Sequence, residues 1–174
     1  MLENNSEFDE IIGEIIQNQT VQEMKKYRQH YDTSCFDHCK NVAYVGYKIA
    51  KKLKLDYKST ARAGMLHDLF LYDWRKKEDG RKGLHAFTHP KTAARKAQEL
   101  FELSDKEQDI ILKHMWPLTI NLPKYPESYI ITVADKYCAI HESCSHYKKT
   151  LFSKRVFKYV YLALGVFFIK YKKF

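Results

Sequence analysis

Apolar positions along the chain recur mostly at helical spacing, and the alternation that marks a half-buried strand is scarce. Over residues 6–18 (SEFDEIIGEIIQN), Phe8, Ile11, Ile12 and Ile15 fall on one stripe of a helix. A second helix is predicted over 20–31, around Val21, Met24 and Tyr27. Thr33 or Ser34 caps the third, Asp37 favours its first turn, and Val42, Val45, Ile49 and Leu53 follow at core spacing. Ser59 opens a fourth helix, which runs through Ala63, Leu66 and Phe70.

The charged stretch RKKEDGRKG (75–83) then reads as a loop. Thr88 caps a helix with Pro90 in its first turn, where a missing N–H does no harm, and Ala93, Ala97, Leu100 and Phe101 face inward. Ser104 and Glu107 form an S-x-x-E capping box for DKEQDIILKHM (105–115). Pro117, Pro123 and Pro126 break the chain before Glu127 or Ser128 starts SYIITVADKYCAIHES, in which Ile130, Val133, Ala134 and Tyr137 are apolar. No repeat, low-complexity tract or linker divides this run. The expectation is an all-α helical bundle in one domain (residues 1–147, core about 30–145), followed by a basic, aromatic C-terminal helix or tail at 148–174. A chain of 174 residues is long enough to bury a core of its own.

Charge sharpens that division. The formal net charge is +9, yet the last acidic residue is Glu142, and residues 148–174 carry eight Lys or Arg. The remainder holds 22 basic against 21 acidic groups, so the body is nearly neutral. Within the basic segment, YVYLALGVFFI (159–169) is eleven apolar residues long, short of the roughly 20 that a membrane span needs. Three readings stay open for it: packing on the domain or on a second subunit as a homodimer, an interfacial contact with an anionic membrane surface, or contact with nucleic acid. The polar, acidic start MLENNSEFDE is not a secretory signal, and four cysteines at 35, 39, 138 and 144 do not make a disulfide framework. Reduced cysteines in a cytoplasmic protein are the expectation. Cys35 and Cys39 can share a helix face, either as packing or as half of a zinc site that needs two more ligands.

The chemistry begins in MLHDLFLYDW (65–74), where His67 and Asp68 interrupt an apolar run. A buried ion costs several kcal/mol unless something compensates it. Each predicted helix of the middle bundle carries a similar group: His38, then His67-Asp68, His89, His114 and Asp135. Imidazole nitrogen and carboxylate oxygen are the donors that divalent transition metals prefer, and a metal would neutralise Asp68 and Asp135 together. Taken singly, each of these residues has a plain reading as a hydrogen-bonded core group or a polar residue at a helix edge.

Their order, and the contexts DHCKNVAYVGYKIA, AGMLHDLF, THPKTAARKA, ILKHMWPLT and TVADKYCA, resemble the HD superfamily of metal-dependent phosphohydrolases, in particular small stand-alone bacterial members. The resemblance covers residues of roughly 30–145 and implies an all-α fold and a divalent metal held by an H…HD…D set. Carried over by position, His38, His67, Asp68 and Asp135 would hold a first ion. Asp68, His89 and His114 would hold a second, with Asp68 bridging. Iron, manganese, nickel or zinc would suit such ligands. The Gly-Tyr-Pro motif of the cyclic-di-GMP-degrading branch is absent, which argues against that activity.

The expected reaction is hydrolysis of a phosphomonoester, diester or anhydride by metal-activated water, with a nucleotide or another small phosphorylated metabolite as substrate. No Ser or Cys nucleophile motif and no P-loop glycine pattern competes with it. Asp68, His85 and Lys136 are the catalytic candidates; Arg75, Lys91 and Trp116 are the substrate-binding ones. The plain alternatives are solvated cations for Arg75, Lys91 and Lys136, a loop residue for His85, and a helix end for Trp116-Pro117. Tyr72, Asp73 and Trp74 are either pocket wall or the end of a helix. Against the enzyme stand two other classes: a non-catalytic module that senses a nucleotide in the same pocket, and a nucleic-acid or membrane-surface binder acting through the basic tail.

Overall fold

The computed structural model describes residues 6–76 and 83–151. The predicted basic helix or tail lies outside the described residues apart from its first four positions. Those four continue the last helix, which passes position 147 without a break. The elements in chain order are α1 (Ser6–Gln17), α2 (Gln19–Gln22), a 3-10 turn (Glu23–Lys26), β1 (Arg28–His30), β2 (Thr33–Ser34), α3 (Cys35–Lys52), α4 (Tyr57–Leu66), α5 (His85–Leu100), α6 (Asp105–Lys113) and α7 (Pro126–Leu151). The fold is all-α, with one small antiparallel hairpin formed by β1 and β2.

That hairpin corrects the second predicted helix. Val21, Met24 and Tyr27 are spaced by threes, which matches the three residues per turn of a 3-10 helix better than a full α-helix. Tyr27 is extended (φ −108°, ψ 131°), so the helix ends there. The Tyr27 carbonyl then accepts from the Cys35 N–H at 2.8 Å, which closes the hairpin. Ser34 caps α3 by accepting from the Asp37 N–H. The fourth helix begins earlier than Ser59: Asp56 is its cap and accepts from the Ser59 N–H at 3.0 Å. The Thr88 cap is also corrected. α5 starts at His85, and Pro90 sits inside the helix, where the Ala86 carbonyl loses the N–H it would otherwise bind. The capping box of α6 forms as read, with Ser104 and Glu107 bonded reciprocally.

α3 packs closely on α4 through small residues, and α7 crosses both. Ala43, Gly46, Tyr47 and Ala50 are buried on α3, whereas Leu53 is exposed. On α7 the inward stripe is Ile131, Ala134 and Cys138; Val133 and Tyr137 face outward. Polar ties fix the helix ends. Arg62 on α4 pairs with Glu107 of the α6 cap at 2.7 Å. Lys106 bridges Asp56 and Glu127 at 3.1 and 3.0 Å, and Asp109 accepts from Ser128 Oγ at 2.7 Å. No helix among the described residues is long and apolar enough to cross a membrane.

α1 is pinned by Glu7, which accepts from Tyr47 at 2.5 Å, from Tyr57 at 3.1 Å and from Lys51. These bonds, Lys51 first, lower its pKa from 4.5 to about 2. A depressed carboxylate contributes stability above its unfolded pKa and loses it as pH falls through the folded value. Glu7→Gln is therefore expected to lower the Tm at neutral pH, and the gap from wild type should close between about pH 4.5 and 2. Parallel melts across that window check it; a gap that does not change with pH would contradict the role given to Glu7.

Candidate metal centre

Five helices deliver one cluster. His38 stands in the first turn of α3, His67 caps the C-terminus of α4 with Asp68 next to it, His89 lies in α5, His114 caps α6, and Asp135 lies in α7. His38, His67, Asp68, His89 and His114 are all buried. One local device orients three of the histidines. Nδ1–H of His67 donates to the Gly64 carbonyl, that of His114 to Ile111 and that of His89 to His85, each at 2.8 Å. The last carbonyls of a helix lack partners within it, so His67 and His114, at the C-caps of α4 and α6, find an acceptor three residues back, whereas His89, one turn into α5, uses the carbonyl four residues back. Each such bond occupies Nδ1–H and leaves Nε2 directed inward as the atom that can ligate. His38 is oriented by a carboxylate instead: Nδ1–H donates to Glu142 Oε2 at 3.0 Å, and Asn41 holds the other oxygen at 3.2 Å.

The inward atoms meet at Asp68. Its Oδ1 lies 3.2 Å from His89 Nε2 and 3.5 Å from His114 Nε2; its Oδ2 lies 3.6 Å from His67 Nε2. Asp135 Oδ1 lies 3.1 Å from His38 Nε2 and 3.8 Å from His67 Nε2. Two groups of ligand atoms result, His38–His67–Asp68 and Asp68–His89–His114, each within 4.8 Å, and Asp68 is common to both. A third, His30–His38–Glu142, flanks the first.

The donor set fits divalent ions. His89 Nε2 and His114 Nε2 face each other at 2.8 Å although both Nδ1 atoms are already committed to carbonyls. Two lone pairs cannot face each other at that distance without a proton or a cation between them. His67 Nε2 and Asp68 Oδ1 are buried without hydrogen-bond partners, the state of atoms shaped for another ligand. Electrostatics agree. Burial, then the charges of His67 and His89, push His114 down to about 3, so it is neutral at physiological pH. Burial would also lower His38 and His67, but the carboxylates around them outweigh it and raise both well above the ordinary histidine value. Asp68 and Asp135 are held ionised against their burial by these same histidines.

The other candidates are placed unevenly. His85 adjoins the cluster: its ring stacks on His89 at 4.5 Å and on Trp74 at 5.5 Å, with the Tyr72 hydroxyl 3.2 Å from Nδ1. Beside it is a cleft of ≈ 440 Å³ lined by Trp74, Arg75, Lys76, Leu84 and Thr88. Arg75 pairs with Asp73 at 2.9 Å, and Lys91 is exposed on α5. Trp116 packs edge-on against Tyr129. Lys136, adjacent in sequence to Asp135, turns its amine to the carbonyls of Trp116, Thr132 and His114 at 3.1–3.5 Å, which ties the end of α6 to α7. Cys35 donates to the Asp68 carbonyl at 3.2 Å, and no group of metal-ligating side chains among the described residues includes a cysteine.

Sequence reasoning missed Glu142, Asn41 and Gln29. Glu142 stands seven residues after Asp135, two turns along the same helix face, and that spacing was available as a signal. For Gln29 there was none, since its segment read as helix.

Residues 35–140, more than half of the chain, match the family model of the HD domain. No curated protein and no solved structure gives a match.

Proposed function

The chain belongs to the HD-domain family, and on that premise we propose that it is a metal-dependent hydrolase of phosphate ester or anhydride bonds, acting on a nucleotide or another small phosphorylated metabolite. The observation that carries the reading is the facing pair of His89 and His114 nitrogens over Asp68, with both tautomers fixed so that a cation is the natural occupant. In this reading His38, His67, Asp68 and Asp135 hold one ion, and Asp68, His89 and His114 a second. Iron, manganese, nickel and zinc all suit the donors. Bound ions would supply positive charge for the phosphoryl oxygens and would lower the pKa of water toward neutrality.

The chain's own residues do the rest. Glu142 and the backbone carbonyls keep the imidazoles aimed inward. His85, held between Trp74 and His89, is the proton donor to the leaving oxygen. The neighbouring cleft, aromatic at Trp74 and basic at Arg75 and Lys76, suits an anionic ester with a planar leaving part. Turnover of a panel of phosphomonoesters, diesters and nucleotides with added Mn²⁺ or Fe²⁺ tests the proposal. Activity lost on chelation and restored by metal is expected. Tight metal and nucleotide binding without turnover of any substrate would favour a sensing module instead.

Metal uptake should also release protons. His38 and His67 are raised by their carboxylate neighbours, so the metal-free protein keeps protons on them at neutral pH. An ion needs those lone pairs and must expel the protons, so affinity should rise with pH. Titration calorimetry at pH 7 in two buffers of different ionisation enthalpy should show a release of about one proton or more per chain. Identical heats in both buffers would contradict it.

A further inference from the structure

Gln29 lies on β1, outside every helix of the bundle, yet its side chain enters the cluster. Its Nε2–H donates to Asp68 Oδ2 at 2.5 Å. Its other amide atom, Oε1, is buried and has no hydrogen-bond partner. An unpaired buried acceptor is unfavourable, and a native fold keeps one where a partner from outside the chain completes it. The hairpin that carries Gln29 is anchored on both sides. His30 packs edge-on against His38 at 5.0 Å, and at the tip Tyr31 stacks on His146 of α7 at 4.5 Å. Asp32 meets His146 Nδ1 at 2.9 Å. The amide is therefore held in place rather than swinging on a loose loop.

We propose that Gln29 is a further catalytic residue, an inference that rests on the hydrolytic reading of the site. Its N–H fixes the rotation of the Asp68 carboxylate, so that Oδ2 faces His67 while Oδ1 faces His89 and His114. Its Oε1 accepts a hydrogen bond from the water that attacks phosphorus. Water bound this way gives one hydrogen to Oε1 and keeps a lone pair for the phosphorus atom. As the new P–O bond forms, the P–O bond to the leaving group breaks, and His85 gives its proton to the leaving oxygen. The proton lost by the attacking water passes to solvent. The amide neither gains nor loses a proton, so it orients the nucleophile without serving as its base.

The test compares wild type with Gln29→Met, which keeps length and volume but removes both donor and acceptor, and with Gln29→Ala. Circular dichroism establishes that each variant is folded. Mn²⁺ titration of the metal-free proteins should show affinity weakened by about 10–100-fold in both variants, the range for loss of an outer-shell partner. With p-nitrophenyl phosphate or bis-p-nitrophenyl phosphate, whichever the wild type turns over faster, kcat should fall by about 10²-fold with KM little changed. Wild-type Mn²⁺ affinity together with wild-type kcat in folded Gln29→Met overturns the proposal while the metal reading stands. A raised KM at unchanged kcat also overturns it, because Gln29 would then be a substrate contact. A wild type that takes up no Mn²⁺ overturns this inference and the hydrolytic reading together.

Discussion

Asp68→Ala is expected to empty both halves of the centre at once and to abolish hydrolysis. Its two oxygens are divided between the histidine groups, Oδ2 toward His67 and Oδ1 toward His89 and His114, so no other single residue serves both. Removing it also strips the buried histidines of their main counter-charge, and a second cation would then be drawn into a site with no anion beside it. The loss should exceed the roughly 10–100-fold typical of an outer-shell partner. The contrast with its neighbours gives the test its resolution. Asp135→Ala should lose the ion on the His38 side and keep the one at His89 and His114; His114→Ala should do the reverse. Metal analysis of the three folded variants checks the pattern. One ion retained by Asp68→Ala would remove the bridging role.

Gly64→Ala should be the most damaging small substitution in the bundle. A Cβ at this position would stand 2.8 Å from the Cα of Ala43, and backbone cannot step aside as a side chain can. α3 and α4 would have to separate, and α4 carries His67 and Asp68 at its end. Overpacking of this kind costs about 1–3 kcal/mol, a fall in Tm of roughly 2–12 °C at this chain length. Gly46→Ala is the matched control. Its Cβ would meet side chains rather than backbone, Ile131 Cδ1 at 2.5 Å and Thr60 Cγ2 at 3.2 Å, and the nearer of the two is the far end of a flexible side chain. Alanine also regains about 1 kcal/mol of helix propensity there, so the net change should be small. Thermal melts of the two variants decide it; equal effects would refute the close α3–α4 contact at Gly64. Metal affinity should fall in Gly64→Ala and hold in Gly46→Ala.

Most of the helices were legible because their apolar residues follow the 3.6 period and their caps are conventional, as at Ser34 and Ser104. The errors have physical causes. Val21, Met24 and Tyr27 continue a three-residue rhythm that a 3-10 turn shares with a helix, and the hairpin after it carries no turn signal such as Asn-Gly. On α3 the large residues Val45, Ile49 and Leu53 drew attention, while the close approach of α3 to α4 uses Ala43 against Gly64, whose value is their smallness. Pro90 suggested a helix start because a proline within a helix forfeits only one bond, and that is invisible in the sequence.

The six His and Asp positions stood out because each falls where an apolar helix should have none. Glu142 and Gln29 did not, since an acid on a long helix and an amide in a short strand are common surface residues. Lys136 shows the limit in the other direction: it is next to Asp135 in sequence, but neighbouring residues on a helix point about 100° apart, and its amine caps carbonyls at the end of α6.

The central claim is that these buried histidines and carboxylates exist to hold metal. Elemental analysis of the purified protein, before and after equilibration with Mn²⁺ or Fe²⁺ and removal of free ions, tests it most directly. The account predicts two divalent ions per chain, lost from wild type on prolonged chelation. A protein that carries none and takes up none would contradict it.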